Sequence, residues 1–226
     1  MIKPAFKKGS YYHLYSSGVD RRRIFSSQED FDRFEAYLYL LNAVESQRAA
    51  NFFAAGRQHE IFSSARGEKL VAIGAYSFLP QEFHILATPL VENGIGKFMQ
   101  KLQTGYTMFF NKKYSHEGRL FSSRYRSEEV LSEEQLRRLF TYIHAQPAAM
   151  FNERWEESEG SELAILITRA LQYRYSSAGE YTASKFIITS PAEFPLFIRR
   201  TKDAPAHFAA WVKYKKALSL SGNSDV

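Results

Sequence analysis

Two apolar segments joined by a short turn constrain the fold of this chain more than any other feature. Residues 69–78 are apolar almost throughout, and residues 82–88 alternate between polar and apolar side chains on either side of Phe83. Leu79–Pro80–Gln81 forms the turn between them. An alternation with a period of two is typical of a β-strand, so the pattern predicts an antiparallel pair of strands.

The segments around this pair predict further strands and helices. Residues 10–17 alternate and indicate a strand, and Glu60–Ile61–Phe62 suggests a short one. A capping box of Ser26 and Glu29 opens a helix predicted over 28–46, and another of Ser132 and Gln135 opens a helix that Pro147 stops. The remaining predicted helices cover residues 94–113, residues 161–171 and a segment from about Pro205.

This order of elements predicts an α+β fold, with helices packed against an antiparallel sheet and a helical C-terminal tail. With 226 residues, 45% of them hydrophobic, the chain is long enough to bury a core and is not disordered. The absence of cysteine excludes thiol nucleophiles, zinc–thiolate sites and iron–sulfur clusters. No signal peptide or membrane-spanning apolar window is visible, so we expect a cytoplasmic, nucleoid-associated protein.

Positive charge is concentrated in three blocks that also contain aromatic residues. Residues 1–25, 97–126 and 195–216 are basic, whereas residues 152–162 are acidic and resemble a connector. Basic side chains interleaved with aromatic rings are typical of surfaces that bind a phosphate backbone and stack on bases. The predicted DNA-binding residues are Arg21, Arg22, Arg23, Lys112, Lys113, Arg119, Arg124 and Arg126. The alternative is a mildly basic protein with solvated faces.

The segment Pro80–Gln81–Glu82–Phe83–His84 carries the clearest chemical signal. Residues i and i+2 of a strand face the same side, so Glu82 and His84 project together. A carboxylate and an imidazole placed in this way can bind Mg²⁺ or Mn²⁺. The alternative is a surface glutamate beside a partly buried histidine.

Tyr106 lies on the apolar stripe of the predicted 94–113 helix, and Asn111 follows about one turn later. If this helix packs across the face that carries Glu82 and His84, the phenol reaches a metal-bound phosphate and Asn111 adds an amide ligand. Otherwise Tyr106 is a core tyrosine with a hydrogen-bonded hydroxyl.

Six segments of the chain resemble, in order and with compatible spacing, the REP-associated tyrosine transposases of the single-tyrosine HUH (IS200-like) family. They are YHLYSSGVDRRRIF (12–25), AYSFLPQEFHIL (75–86), GYTMFFNKK (105–113), GRLFSSRYR (118–126), YIHAQP (142–147) and YRYSS (173–177) with Tyr181. The resemblance covers nearly the whole chain and implies a ferredoxin-like sheet.

The resemblance also implies a function in DNA transposition. A His–hydrophobic–His pair would bind Mg²⁺ or Mn²⁺, and a helix-borne tyrosine, taken as Tyr106, would attack a phosphate of single-stranded DNA to give a 5′-phosphotyrosine. The family pattern has Asn at position 81 and His at position 82, where this chain has Gln81 and Glu82. It also has Asn-Arg where this chain has Ser16–Ser17.

These departures leave three functions open: an active or impaired transposase, a non-catalytic protein that binds hairpin or single-stranded DNA, and an RNA-binding module. We expect residues 1–150 to form the transposase-like HUH domain and residues 151–226 a C-terminal extension packed on it or tethered to it. The length of the tail favours a monomer over a homodimer, and no membrane partner is expected.

Overall fold

The computed structural model describes residues 6–45 and 49–199. Its centre is a sheet of four strands, β1 (Tyr11–Ser17), β2 (Val71–Leu79), β3 (Glu82–Pro89) and β4 (Arg126–Val130). The strands lie in the order β2-β3-β1-β4, and every neighbouring pair is antiparallel. The predicted pair of strands around Leu79–Pro80–Gln81 is therefore confirmed as β2 and β3.

Seven α-helices accompany the sheet within the described residues. They are α1 (Gln28–Leu40), α2 (Ala49–Ala54), α3 (Gly94–Tyr114), α4 (Glu133–Ala145), α5 (Gly160–Leu171), α6 (Ala178–Ala183) and α7 (Leu196–Arg199). Helix α1 connects β1 to β2 and α3 connects β3 to β4, which gives the βαββαβ order of a ferredoxin-like unit. The α+β prediction is confirmed.

The two faces of the sheet pack against different helices. Leu14, Phe83 and Ile85 lie in a core with residues of α1 and α3. Leu86 lies in a second core on the other face, with residues of α4 and with Phe194 from the C-terminal segment. This division places the side chains of β1 and β3 on opposite faces in alternation, as the pleat of a strand requires.

Local capping explains where α1 and α4 begin. The capping box of α1 joins Ser27 and Asp30, one residue later than predicted, and the helix ends at Leu40 rather than near residue 46. At α4 the Ser132 half of the predicted box is confirmed, because the Gln135 amide donates to Ser132 Oγ at 3.1 Å, but the Gln135 side chain accepts from the Leu131 amide rather than from Ser132. Helix α4 ends just before Pro147, as predicted.

One predicted strand is wrong, and one observed strand was not predicted. Glu60–Ile61–Phe62 lies in a 3₁₀ helix, Gln58–Ser63, in which the hydroxyls of Ser63 and Ser64 donate to the carbonyls of Glu60 and Ile61. These local bonds favour a turn over a strand. Strand β4 was not predicted, because its sequence, RSEEV, lacks an apolar alternation and it pairs with β1 at the edge of the sheet.

The C-terminal segment covers the outer edge of β2. The Phe78 amide donates to Tyr175 O at 2.9 Å, and the Ser190 amide donates to Ile73 O at 2.8 Å. Residues 172–190 therefore satisfy backbone groups that an edge strand would otherwise leave open. The helix predicted from Pro205 lies outside the described residues, and the division at residue 150 stays a prediction. No helix in the described ranges has the length and apolar character needed to span a membrane.

Candidate nucleic-acid and metal site

Glu82 and His84 lie on the same face of β3, as the pleat predicts, with Glu82 Oε1 3.3 Å from His84 Nε2. His84 is only 4% exposed, whereas Glu82 is half-buried. The contact with His84 lowers the pKa of the Glu82 carboxyl, and the nearby Arg21 lowers it further, although burial opposes both. Glu82 is therefore an anion at neutral pH.

Strand β1 contributes two more side chains to this face. His13 Nε2 lies 3.0 Å from His84 Nδ1, at hydrogen-bonding distance, and the Tyr15 ring stacks on His84 with centroids 5.8 Å apart. Burial, together with the neighbouring His84, lowers the pKa of His13 to about 3. His13 is consequently neutral, and only one of the two facing nitrogens carries a hydrogen.

The geometry of Glu82 and His84 fits one edge of a divalent-ion site. Two adjacent ligands, each about 2.1 Å from an ion, are separated by about 3.0 Å in an octahedron and about 3.4 Å in a tetrahedron. The 3.3 Å between Oε1 and Nε2 falls in this interval. His84 Nε2 is also buried without a well-aligned hydrogen bond. An ion bound there would need Nδ1 of His84 to carry the hydrogen and donate it to His13.

Asn111, the third predicted ligand, contacts other residues. Its Nδ2 donates to Gly118 O at 3.0 Å, and its Oδ1 lies 2.9 Å from His116 Nδ1. Across residues 6–45 and 49–199, no group of three or more His, Asp or Glu side chains is placed to hold a metal ion. An ion at Glu82 and His84 would therefore take its other ligands from water or from a phosphate.

Tyr106 does not reach Glu82 and His84, because α3 packs on the opposite face of the sheet. Its ring lies in the core with Phe34 and Phe121, which also contact Phe83. It is 0% exposed, and its hydroxyl donates to Ile24 O at 2.5 Å. Burial raises the pKa of this phenol far above its usual range. The geometry is that of a core tyrosine, the alternative considered for the sequence.

The helix tyrosine that lies beside Glu82 and His84 is Tyr142, on α4. Its ring stands edge-on to His84 with centroids 5.7 Å apart, and it also contacts His13. Burial, and next the charge of Glu82, raise the pKa of the Tyr142 phenol to about 12, while Gln146 acts in the opposite direction. The sequence analysis does not identify Tyr142 as a site residue, although it lies in the YIHAQP segment, because the apolar stripe of a helix does not indicate which sheet face the helix covers.

Two exposed arginines, Arg126 and Arg21, lie near this cluster. Arg126 pairs with Tyr15 across β1 and β4, and its guanidinium lies 6.0 Å from the Tyr15 ring centroid. The loop after β1 carries Arg21–Arg23 and is joined to the segment before β4, because the Val19 amide donates to Leu120 O at 3.0 Å. The fold therefore brings together two basic blocks that are about 100 residues apart in sequence. The exposed predicted DNA-binding residues are Arg21, Arg22, Arg23, Lys112, Arg119, Arg124 and Arg126.

Lys113, also predicted to bind DNA, is an internal ion-pair partner. Its Nζ lies 2.7 Å from Asp30 Oδ1 and 2.8 Å from both Glu29 Oε2 and Ser27 Oγ, at the start of α1. Because these acceptors neutralise and fix the ammonium group, Lys113 stabilises the contact between α1 and α3 and is not available to a phosphate.

No protein-family model matches this chain, and no curated protein matches it. Among solved structures, a REP-associated tyrosine transposase bound to a REP hairpin is similar to it, with a TM-score of 0.48 and 11% sequence identity. The similarity covers 84% of this chain and 90% of that chain. A function for this chain therefore has to come from the residues of its own site.

Proposed function

We propose that this protein binds single-stranded or hairpin DNA and cuts and rejoins it at the Glu82–His84 pair, with Tyr142 as the nucleophile. The observation that carries the proposal is the meeting of three groups on one sheet face. These groups are a carboxylate–imidazole pair at metal-ligand spacing, a half-buried phenol beside it and two exposed arginines near it, Arg21 and Arg126. Arginine is suited to bind the phosphates of a DNA strand that lies across this face of the sheet.

The chemistry follows from these positions. Glu82 Oε1 and His84 Nε2 would hold Mg²⁺ or Mn²⁺, which when bound supplies positive charge beside a phosphate. The Tyr142 oxygen would attack phosphorus, the bond from phosphorus to the 3′ oxygen would break, and a 5′-phosphotyrosine and a free 3′ hydroxyl would result. Attack by that hydroxyl would reverse the step, so rejoining needs no additional energy source.

Deprotonation of Tyr142 is the demanding part of this reaction. A phenol with a pKa of about 12 is almost entirely protonated at neutral pH. The rate of adduct formation should therefore rise with pH, by about tenfold per unit between pH 7 and pH 9.

A matched pair of tyrosine variants tests the proposal. The protein is incubated with Mn²⁺ and a labelled pool of hairpins with randomised single-stranded tails, and covalent adducts are resolved on a denaturing gel. We expect an adduct in the wild type and in Tyr106→Phe but none in Tyr142→Phe. An adduct that persists undiminished in Tyr142→Phe would refute the assignment of the nucleophile.

A second function, DNA binding without cleavage, is favoured by two observations. Glu82 is an anion, which opposes the approach of a phosphate, and within the described ranges no third His, Asp or Glu side chain is placed to complete an ion site with Glu82 and His84. In that case the wild type binds the hairpin pool without forming an adduct, and Glu82→His, which removes the anion, gains one. Competition by RNA of the same sequence distinguishes both functions from an RNA-binding module.

A further inference from the structure

The C-terminal end of α3 folds back on itself around Asn111. Ser115 adopts a left-handed conformation with φ 47°, and the His116 amide donates to Asn111 O at 3.0 Å. This turn brings the His116 ring to the Asn111 side chain, with 2.9 Å between Nδ1 and Oδ1. The other end of the same amide, Nδ2, donates to Gly118 O. Asn111 therefore fixes both the ring and the backbone that follows it.

These contacts determine the hydrogen on the imidazole. Asn111 Oδ1 can only accept, so Nδ1 of His116 carries the hydrogen and donates it. In the neutral ring the other nitrogen, Nε2, is then an acceptor, and Arg22 Nη1 donates to it. Asn111, His116 and Arg22 thus form a directed chain of hydrogen bonds from the end of α3 to the loop after β1.

The residues around Arg22 indicate what this chain of hydrogen bonds does. Arg21, Arg23 and Arg119 are exposed in the same two segments, which are joined by Val19–Leu120 and Ser17–Ser122 backbone hydrogen bonds. Neighbouring guanidinium groups repel one another, so an exposed arginine among them needs a partner to adopt one position. A carboxylate would hold Arg22 but would also neutralise it. A neutral imidazole holds it and leaves its charge and its other N–H donors available.

We propose that Asn111 and His116 are positioning residues that hold the Arg22 guanidinium ready for one phosphate of a bound DNA strand. The proposal rests on the DNA binding proposed above and extends it to a specific phosphate contact. An arginine held in advance loses less conformational freedom on binding than a free one. Removal of either positioning residue should therefore weaken binding about 3- to 10-fold while Arg22 and its charge remain.

Salt dependence separates positioning from charge. Fluorescence anisotropy with a labelled hairpin carrying a single-stranded tail gives the affinity between 50 and 300 mM salt. Arg22→Ala should weaken binding and reduce the slope of log affinity against log salt by about 0.7 to 0.9, since one fewer counterion is released. Asn111→Ala and His116→Ala should weaken binding with the wild-type slope, and His116→Gln, which keeps a neutral acceptor, should recover part of the loss.

Two further variants sharpen the test. Adding Asn111→Ala to Arg22→Ala should cause no further loss, because the amide acts only through the guanidinium. His59→Ala removes an exposed histidine from another segment and should bind like the wild type. Thermal unfolding checks that each variant is folded. If Asn111→Ala does not fold, His116→Ala tests the same chain of hydrogen bonds.

The outcomes distinguish the two proposals. A wild type with no salt-dependent DNA affinity refutes DNA binding itself. A wild type that binds, together with folded Asn111→Ala and His116→Ala variants that bind equally well, refutes the positioning role alone. A loss of slope in Asn111→Ala equal to that in Arg22→Ala also refutes it, because charge rather than orientation would then have been lost.

Discussion

At the scale of single residues, the two tyrosines illustrate how burial separates structure from chemistry. Tyr106 is fully buried and its hydroxyl satisfies the carbonyl of Ile24, whereas Tyr142 is half-buried beside His84. Both lie on helices. Only the tertiary environment distinguishes a tyrosine that supports the core from one that reaches a candidate site.

Substitution by phenylalanine should affect these tyrosines in opposite ways. Tyr106→Phe leaves a buried carbonyl without its partner, so we expect the free energy of unfolding to fall by about 1–3 kcal/mol, with adduct formation retained. Tyr142→Phe should abolish the adduct with little change in stability. Urea denaturation and the denaturing gel measure the two properties. A stability loss confined to Tyr142→Phe would contradict this division.

Glu35 should make the stability of the protein depend on pH. Burial raises the pKa of Glu35 to about 7, and Asp32 and Glu180 add to this, although Arg174 opposes it. Because the unfolded chain releases this proton near pH 4.5, the folded state binds more protons between these values. The contribution of Glu35 to stability therefore decreases as the pH rises from about 4.5 to about 7. Above that range, the folded protein bears the full free-energy cost of a buried, charged Glu35.

Glu35→Gln should remove this dependence. We expect the variant to be more stable than the wild type at pH 8 by about 1–3 kcal/mol and similar to it at pH 4.5. Glu68→Gln, at an exposed position, serves as the control and should follow the wild type at both values. Equal pH profiles for wild type and Glu35→Gln in thermal unfolding would show that Glu35 does not titrate in this way.

At the scale of elements, the start of α1 and the end of α3 are joined through one buried carboxylate. Asp30 is 0% exposed and accepts from the Ser26 and Ser27 amides, from Lys113 Nζ and from the Tyr114 hydroxyl. An acidic residue at this position also interacts favourably with the helix dipole of α1. The result is a tie between two helices that cover the same face of the sheet.

Neighbouring lysines on α3 provide a matched comparison of this tie. Lys113→Met leaves Asp30 without its cation, so we expect a loss of about 2–4 kcal/mol in unfolding free energy. Lys112→Met alters an exposed residue and should change stability by less than about 0.5 kcal/mol, while weakening DNA binding and its salt dependence. Denaturant unfolding and anisotropy measure the two effects. Equal stabilities for both variants would contradict the structural role of Lys113.

At the scale of the whole molecule, the C-terminal segment packs into the sheet at Gly74. A Cβ atom at this position would lie 2.7 Å from the Phe194 ring, and the Tyr181 hydroxyl donates to Gly74 O at 2.5 Å. The register of β2 with β3 also shifts between Ile73 and Ala75. A residue with no side chain therefore allows Tyr181 and Phe194 of the C-terminal segment to approach the strand.

A double-mutant cycle tests whether this segment unfolds together with the sheet. Gly74→Ala should cost about 1–3 kcal/mol, because the added methyl group overlaps a buried ring. In a Phe194→Leu background the cost should be smaller by at least about 0.5 kcal/mol. If the segment were only tethered to the domain, Gly74→Ala would be neutral or slightly stabilising and the two substitutions would be independent.

Local features of the chain were readable from the sequence. The alternation around Phe83, the turn at Leu79–Pro80–Gln81 and the helix cap at Ser132 depend on residues a few positions apart, so their patterns survive without the rest of the fold. The same locality explains the placement of Glu82 and His84 on one face. The charged strand β4 was missed because it lacks an apolar pattern and its pairing with β1 is a long-range property.

The sequence by itself therefore determined the fold class, the main elements and the carboxylate–imidazole pair. Only the tertiary structure decided that α3 covers the Phe83 face, that Tyr142 rather than Tyr106 stands beside His84, and that Arg22 meets His116. The physical reason is that a helical stripe specifies which side of a helix is buried but not which sheet face buries it. That choice depends on the sum of contacts between residues far apart in the chain, here the contacts of α1 and α3 with Leu14, Phe83 and Ile85.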